Sequence, residues 1–122
     1  MARNLGAPPT STRSHSLSSL LPPFMSLTIG ICRVQLRLPE NHSLKGKRQV
    51  LKSLLARLHN KFNVSAAEVD DHNSWQIASL GVACASNDER HAATVLAAVV
   101  SFIERERLDA EIIDYETEIV HG

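Results

Sequence analysis

The residues of this sequence whose types and spacing could do chemistry are cations and hydroxyl donors around the start of one predicted helix. Recognition of a nucleic-acid backbone needs several cations along one edge, together with hydroxyl or backbone N–H donors. The residues that meet this description are His42, Ser43, Lys45, Lys47, Arg48 and Lys52, to which the preceding strand adds Arg33 and Arg37. The pattern predicts contact with RNA phosphates, although a solvated polar helix face would contain the same residue types.

The helix that carries these cations is predicted over residues 43–62. Ser43 is a typical N-cap, and the free amides that follow it form a position that accepts anions. A helix turns by about 100° per residue, which divides the cations between the two flanks of its apolar stripe. One flank holds Lys45, Arg48, Lys52 and His59, and the opposite flank holds Arg57 and Lys61.

The charge of the chain is distributed unevenly, although its formal net charge is zero. Residues 1–61 contain ten Lys and Arg and one acid, whereas residues 62–122 contain three Arg and twelve acids. A polarised chain of this kind can present one basic face to a polyanion without being basic overall. The asymmetry therefore favours RNA as a partner.

Two other groups of residues could do chemistry, and both have simpler explanations. The spacing of Glu68, Asp70, Asp71 and His72 matches neither an EF-hand nor a zinc-binding helix, so we interpret this acidic segment as a hairpin turn. Cys32 and Cys84 lie in apolar strand-like runs and are predicted to be small buried hydrophobes. We expect no catalytic residue, no metal ion, no cofactor and therefore no enzymatic activity.

Hydrophobic periodicity predicts six elements in the order βαββαβ. The strands fall at residues 27–38, 64–69, 75–85 and 111–120, and the helices at residues 43–62 and 87–107. The second helix is predicted to begin with a capping box from Ser86 to Glu89, and Ile113 is predicted to share a face of the last strand with Tyr115. The fold class is thus α+β and ferredoxin-like, with two helices packed on one face of a four-stranded antiparallel sheet.

The other face of this sheet is predicted to be open and partly aliphatic, since Ile29, Ile31 and Ile77 point there and Trp75 lies at one end of its strand. Aromatic residues are missing from the positions where single-stranded RNA readers stack bases, so base stacking is not favoured. An exposed aliphatic sheet face more often packs against another copy or under a loop. A homodimer is therefore an alternative prediction.

Residues 1–24 are rich in Ser and Pro, contain no acid and are predicted to be a disordered leader or start-site extension. Their composition also resembles an organelle transit peptide. Residues 25–122 are predicted to form a single domain. Since no run approaches the ~20 apolar residues of a membrane-spanning helix, we expect a cytoplasmic protein with no membrane partner.

Several short blocks carry a resemblance to a known family. They are His42-Ser43-Leu44-Lys45-Gly46-Lys47-Arg48, Lys61-Phe62-Asn63-Val64-Ser65, Ala67-Glu68-Val69-Asp70, Trp75-Gln76 and Leu80-Gly81-Val82-Ala83. Over residues 27–120 the sequence closely resembles the YlxP-like family of small bacterial proteins, a domain of unknown function. Gly46 departs from relatives that tend to carry a charged residue there. The resemblance implies a ferredoxin-like fold and no known catalytic residues.

The genes of the YlxP-like family often lie beside those for translation initiation and ribosome-binding factors. The resemblance therefore implies an accessory role in translation or ribosome maturation. Together with the basic helix, it leads to the hypothesis of a non-enzymatic protein that binds ribosomal RNA or a ribosomal subunit. The alternative is a homodimeric structural or regulatory module that uses the open sheet face.

Overall fold

The computed structural model describes residues 26–106 and 110–122, so the predicted leader at residues 1–24 lies outside the described residues. The elements are β1 (Thr28–Arg37), α1 (Leu44–Lys61), β2 (Ser65–Asp70), β3 (Ile77–Ser86), α2 (Glu89–Arg105) and β4 (Glu111–His121). The strands form one antiparallel sheet in the order β2-β3-β1-β4. This confirms the predicted α+β, ferredoxin-like arrangement.

The core lies between the sheet and the two helices. Side chains of β1 are alternately buried and exposed, as expected for a strand with one covered face. The covered face of the sheet packs against an apolar stripe on each helix, and burying each large aliphatic side chain contributes about 1.5–3 kcal/mol. The fully buried residues include Cys32, Val34, Leu36, Leu54, Leu58, Leu80, Leu96 and Val99.

The start of α1 has the predicted N-cap, and the contacts around it explain why position 46 is a glycine. Ser43 is the N-cap, and its hydroxyl oxygen accepts a hydrogen bond from the Gly46 amide at 3.0 Å. A Cβ atom on Gly46 would overlap the side-chain oxygen of Asn41. The Asn41 amide donates to the carbonyls of Ser43 and Trp75, each at 2.6 Å, and so ties the helix start to the loop before β3.

The start of α2 differs from the prediction, because the N-cap is Asp88 and not Ser86. The Asp88 carboxylate accepts from the Arg90 amide at 3.0 Å, and the Ser86 hydroxyl accepts from the Asp88 amide at 3.0 Å. Glu89 is the first residue of the helix, so it cannot occupy the third helical position that a capping box requires. Ser86 therefore orders the turn that leads into the cap.

The last strand also departs from the predicted alternation. Its register with β1 shifts between Gln35 and Leu36, which places Ile112 opposite Leu36 and leaves the Ile113 side chain 49% exposed. A β-bulge adds one residue to a strand and exchanges the faces of the residues beyond it. Ile112, and not Ile113, therefore packs toward the core.

Neither helix within residues 26–106 and 110–122 combines the length and the apolar character that a membrane crossing requires.

Candidate nucleic-acid interface

Three cations and a histidine are exposed on one flank of α1, and we call them the basic strip: Lys45, Arg48, Lys52 and His59. Their spacing of three, four and seven residues places them on one side of the helix, over an axial length of about 21 Å. Within the described residues, no carboxylate pairs with Lys45, Arg48 or Lys52. The strip is therefore available to an external anion.

A shallow groove of about 440 Å³ lies along the strip, between α1 and the edge strand β2. Its apolar lining comes from Leu51, Leu55 and Ala56, and Arg48, Lys52 and His59 of the strip also line it. Glu68 of β2 closes the other side. The groove thus places the strip at one edge of the sheet, beside β2.

The opposite flank of α1 is occupied by contacts with α2 and its end. Arg57 forms an ion pair with Glu106. Lys61 lies with its ammonium 5.7 Å from the ring centroid of Phe102, and Phe62 meets the same ring edge-on with centroids 5.7 Å apart. Arg57 and Lys61 thus contact α2 or the residue that follows it, on the flank away from the basic strip that the helical spacing predicted.

Lys47 is a correction to the predicted set of phosphate contacts, because its side chain is completely buried. Its ammonium donates to the carbonyls of Asp71 at 2.7 Å and Ile77 at 3.1 Å, and it lies 2.9 Å from Glu68 Oε2. Since a buried charge must be paired, these contacts use the ammonium internally. Lys47 fastens the β2–β3 turn to α1 and cannot reach a ligand at the surface.

The acidic segment that follows β2 is built as a turn. Asp71 has a φ of 61°, a left-handed conformation that Asp tolerates better than most residues. Its carboxylate accepts from the Ser79 hydroxyl at 2.7 Å, and the neighbouring Asp70 carboxylate accepts from the Asp71 amide at 2.8 Å. These contacts support the interpretation of the segment as a polar hairpin turn.

Arg33 and Arg37 do not join the basic strip, because they lie on the sheet face that points away from both helices. Arg37 forms an ion pair with Glu111, and Arg33 lies directly across from Glu116 of β4. The sheet and the core separate both arginines from α1. His42 is exposed just before the helix, at the end of the strip where Lys45 lies.

The buried thiol of Cys32 is poorly suited to nucleophilic chemistry. Burial, assisted by the negative charge of Glu116, raises the pKa of this thiol from 9.0 to about 11. Since the thiolate is the reactive form, Cys32 is protonated and inert at neutral pH.

Comparison with known proteins places the chain in a family. A family model described as "Protein of unknown function (DUF503)" matches residues 29–117. The chain belongs to the DUF503 family. A Bacillus subtilis (strain 168) relative named "Uncharacterized protein YlxP" is 41% identical over 83 residues, which are 65% of this chain and 90% of that protein. This confirms the resemblance to YlxP-like proteins.

A solved structure named "De novo designed protein Foldit4" is also similar, with a TM-score of 0.42 and 12% identity. The match covers 80% of this chain and 96% of the designed protein.

The DUF503 match includes the whole basic strip and the Lys47 contacts. The buried position of Lys47 could have been found from the sequence, because it precedes Leu51 by four residues and Leu54 by seven, which is the spacing of the apolar stripe. No comparable spacing in the sequence indicates that Glu68 is the partner of Lys47. Its contact with Lys47 depends on the packing of α1 against β2, which no local pattern encodes.

Proposed function

We propose that this DUF503 protein is a cytoplasmic, non-enzymatic accessory protein of translation or ribosome maturation that binds RNA phosphates through the basic strip. The observation that supports the proposal is the alignment of Lys45, Arg48 and Lys52 on one exposed flank without carboxylate partners among the described residues. His59 extends the strip, and His42 adds a donor at its start. Successive cations rise by about 4.5 and 6 Å along the axis, a row that can follow a nucleic-acid backbone.

Local charges favour an anion at this surface. Residues 41–61 contain no acid, so nothing on α1 opposes the cations of the strip. The nearest acid in the groove is Glu68, whose charge is balanced by the buried Lys47 ammonium 2.9 Å away. Lys47 thereby supports phosphate binding indirectly, because it prevents Glu68 from cancelling the field of the strip.

The decisive test combines Arg48→Glu with Lys52→Glu in the full chain and measures the affinity for a labelled mixed-sequence RNA. The loss of two charged contacts should weaken binding by about 100-fold at low salt. The slope of log affinity against log salt should become shallower by roughly 1.5. Circular dichroism should be unchanged, since both side chains are exposed.

A matched control reverses Arg90 and Arg105 on α2, which changes the net charge by the same amount at another exposed surface. This control should retain most of the affinity. An equal loss in the control would mean that binding follows net charge and not the strip. Unchanged affinity in the Arg48 and Lys52 variant would overturn the proposed interface.

The ribosomal part of the proposal is tested separately by sedimentation with ribosomal particles through sucrose gradients at low and moderate salt. We expect the protein to migrate with one subunit or precursor, and to be released by salt and by the Arg48 and Lys52 reversals. A protein that stays at the top of both gradients while still binding RNA in solution would exclude the ribosomal role alone.

A further inference from the structure

The sheet face that points away from the helices is uncovered by any other part of residues 26–106 and 110–122, and it carries exposed aliphatic side chains. Ile31 is 39% exposed and Val69 is 48% exposed. Ile29 lies on the same face, two residues before Ile31. Contiguous exposed aliphatic residues on a soluble protein indicate an interaction surface.

The two central strands differ in side-chain size on this face. In the register of β1 with β3, Ile29 lies opposite Ala85 and Ile31 lies opposite Ala83. Next along the strands, Arg33 lies opposite Gly81, and the Val69 side chain leans into the space above this glycine. Along Ile29 and Ile31 the face therefore has a raised row on β1 beside a lower row formed by Ala85 and Ala83 of β3, whereas Ile77 at the other end of β3 lies opposite Arg37.

Charge marks one edge of the same face. Glu116 and Glu118 of β4 lie opposite Arg33 and Ile31, so they share the open face with them. The other edge, β2, presents the uncharged Ser65 and Ala67 opposite Ala83 and Gly81, and at its far end the acidic Asp70 opposite Ser79. The β2 edge is also the one that borders the basic strip.

We infer that the open face binds a second copy of this chain, in a two-fold dimer whose axis runs parallel to the strands. This axis places β1 of one copy over β3 of the other, so that each raised row fills the partner's lower row. Ile31 then packs on the partner's Ala83 and Ile29 on the partner's Ala85. Glu116 and Glu118 of each β4 then lie over the partner's uncharged Ala67 and Ser65, on the side of the partner's basic strip.

The alternative axis, perpendicular to the strands, is disfavoured by the same residues. It would stack β1 on β1, with isoleucine against isoleucine, and would bring the two acidic β4 strands together. With the axis parallel to the strands, the acidic rows lie three strand spacings, about 14 Å, apart across the interface. Aligned sheets cross at about 30°, which keeps the close contacts at the centre, where Ile31 and Ala83 lie.

The area available fits a reversible dimer. Four strands at ~4.8 Å spacing give a face about 19 Å wide, and six to ten residues give it a length of about 20–33 Å. Each copy can therefore bury about 400–600 Å², which lies at or just below the lower end of specific interfaces. Both basic strips remain on the outer surfaces of the dimer.

The first test is sedimentation equilibrium of the full chain over a range of concentrations. We expect a monomer–dimer equilibrium in the wild type and a monomer at every concentration in Ile31→Asp, because a buried unpaired carboxylate is unfavourable. The control Ala97→Asp introduces the same charge at an exposed position of α2 and should leave the equilibrium unchanged. A monomeric wild type, or a dimer that Ile31→Asp does not break, would overturn the inference.

The second test exchanges the sizes of the two contacting residues. Ala83→Ile should weaken the dimer by placing two large side chains in contact, and adding Ile31→Ala should restore it. If Ile31 instead packs on the partner's Ile31, adding Ile31→Ala to Ala83→Ile does not restore the dimer. A dimer that Ala83→Ile weakens and the double variant does not restore would overturn the proposed axis.

Discussion

At the scale of single residues, Lys47 shows how one cation in a basic segment can serve the fold while its neighbours stay available for binding. Its ammonium contacts two carbonyls and one carboxylate, all from residues 68–77, which run from β2 to the first residue of β3. Lys45 and Arg48, one or two positions away, are exposed. Residue type alone does not separate these roles, but position relative to the apolar stripe does.

Replacement of Lys47 by Met should lower the free energy of unfolding by about 3 kcal/mol, measured by urea denaturation. Removal of one member of a buried ion pair leaves the other without compensation, and here Asp71 and Ile77 also lose a donor. The exposed Lys45→Met should change stability by less than about 0.5 kcal/mol. Adding Glu68→Leu to Lys47→Met should recover part of the loss, and a Lys47→Met protein as stable as Lys45→Met would exclude the structural role.

At the scale of elements, the start of α1 depends on the loop that precedes it. Asn41 occupies the space where a side chain at position 46 would begin, and it bridges the helix cap to Trp75. Gly46 is thus explained by the close approach of a neighbouring side chain, although glycine is an unfavourable residue inside a helix.

Gly46→Ala should therefore destabilise the protein by about 1 kcal/mol, although alanine has the higher helix propensity. The Asn41 amide must move and lose hydrogen bonds that contribute about 1 kcal/mol each. Gln49→Ala, at an exposed position of the same helix, should have little effect. In the Asn41→Ala background, Gly46→Ala should become stabilising, as shown by a double-mutant cycle in thermal or urea unfolding. An additive cycle would contradict the contact.

The elements themselves were predictable because each has a clear apolar period, as in the alternation of Cys32, Val34 and Leu36. The prediction was wrong where long-range contacts intervene. The bulge near Ile112 is set by pairing with β1, and the carbonyl partners of Lys47 lie more than twenty residues away, although its position on the apolar stripe already indicates that it is buried. For the candidate site, helical spacing predicted the flank of Lys45, Arg48 and Lys52. It could not show that the sheet separates Arg33 and Arg37 from them.

At the scale of the whole molecule, the charge asymmetry of the sequence becomes an asymmetry between the two edges of the sheet. The basic strip lies beside β2, and the acidic residues of β4 occupy the opposite edge. An arrangement of this kind can orient a polyanion during approach although the net charge is zero. It also bears on the orientation of the proposed dimer, in which Glu116 and Glu118 approach the partner's uncharged Ala67 and Ser65.

The stability of the whole molecule should fall in alkaline solution because of Cys32. Burial, with a contribution from Glu116, raises the pKa of its thiol from 9.0 to about 11 in the folded protein. The unfolded chain therefore releases the thiol proton at lower pH than the folded chain does. The stability that depends on the protonated thiol is fully present below pH 9 and is lost as the pH rises toward 11.

The difference between these two pKa values corresponds to about 2–3 kcal/mol of unfolding free energy between pH 9 and pH 11. Urea denaturation across this range should show that loss in the wild type. Because other groups also titrate in this range, the wild type is compared with Cys32→Ala. The variant is less stable at every pH because of the cavity that it creates. Its stability should nevertheless fall less steeply with pH than that of the wild type. Parallel pH profiles for the two proteins would show that the Cys32 thiol does not carry the effect. A steeper fall in the wild type would identify this buried thiol as one group that limits stability in alkali.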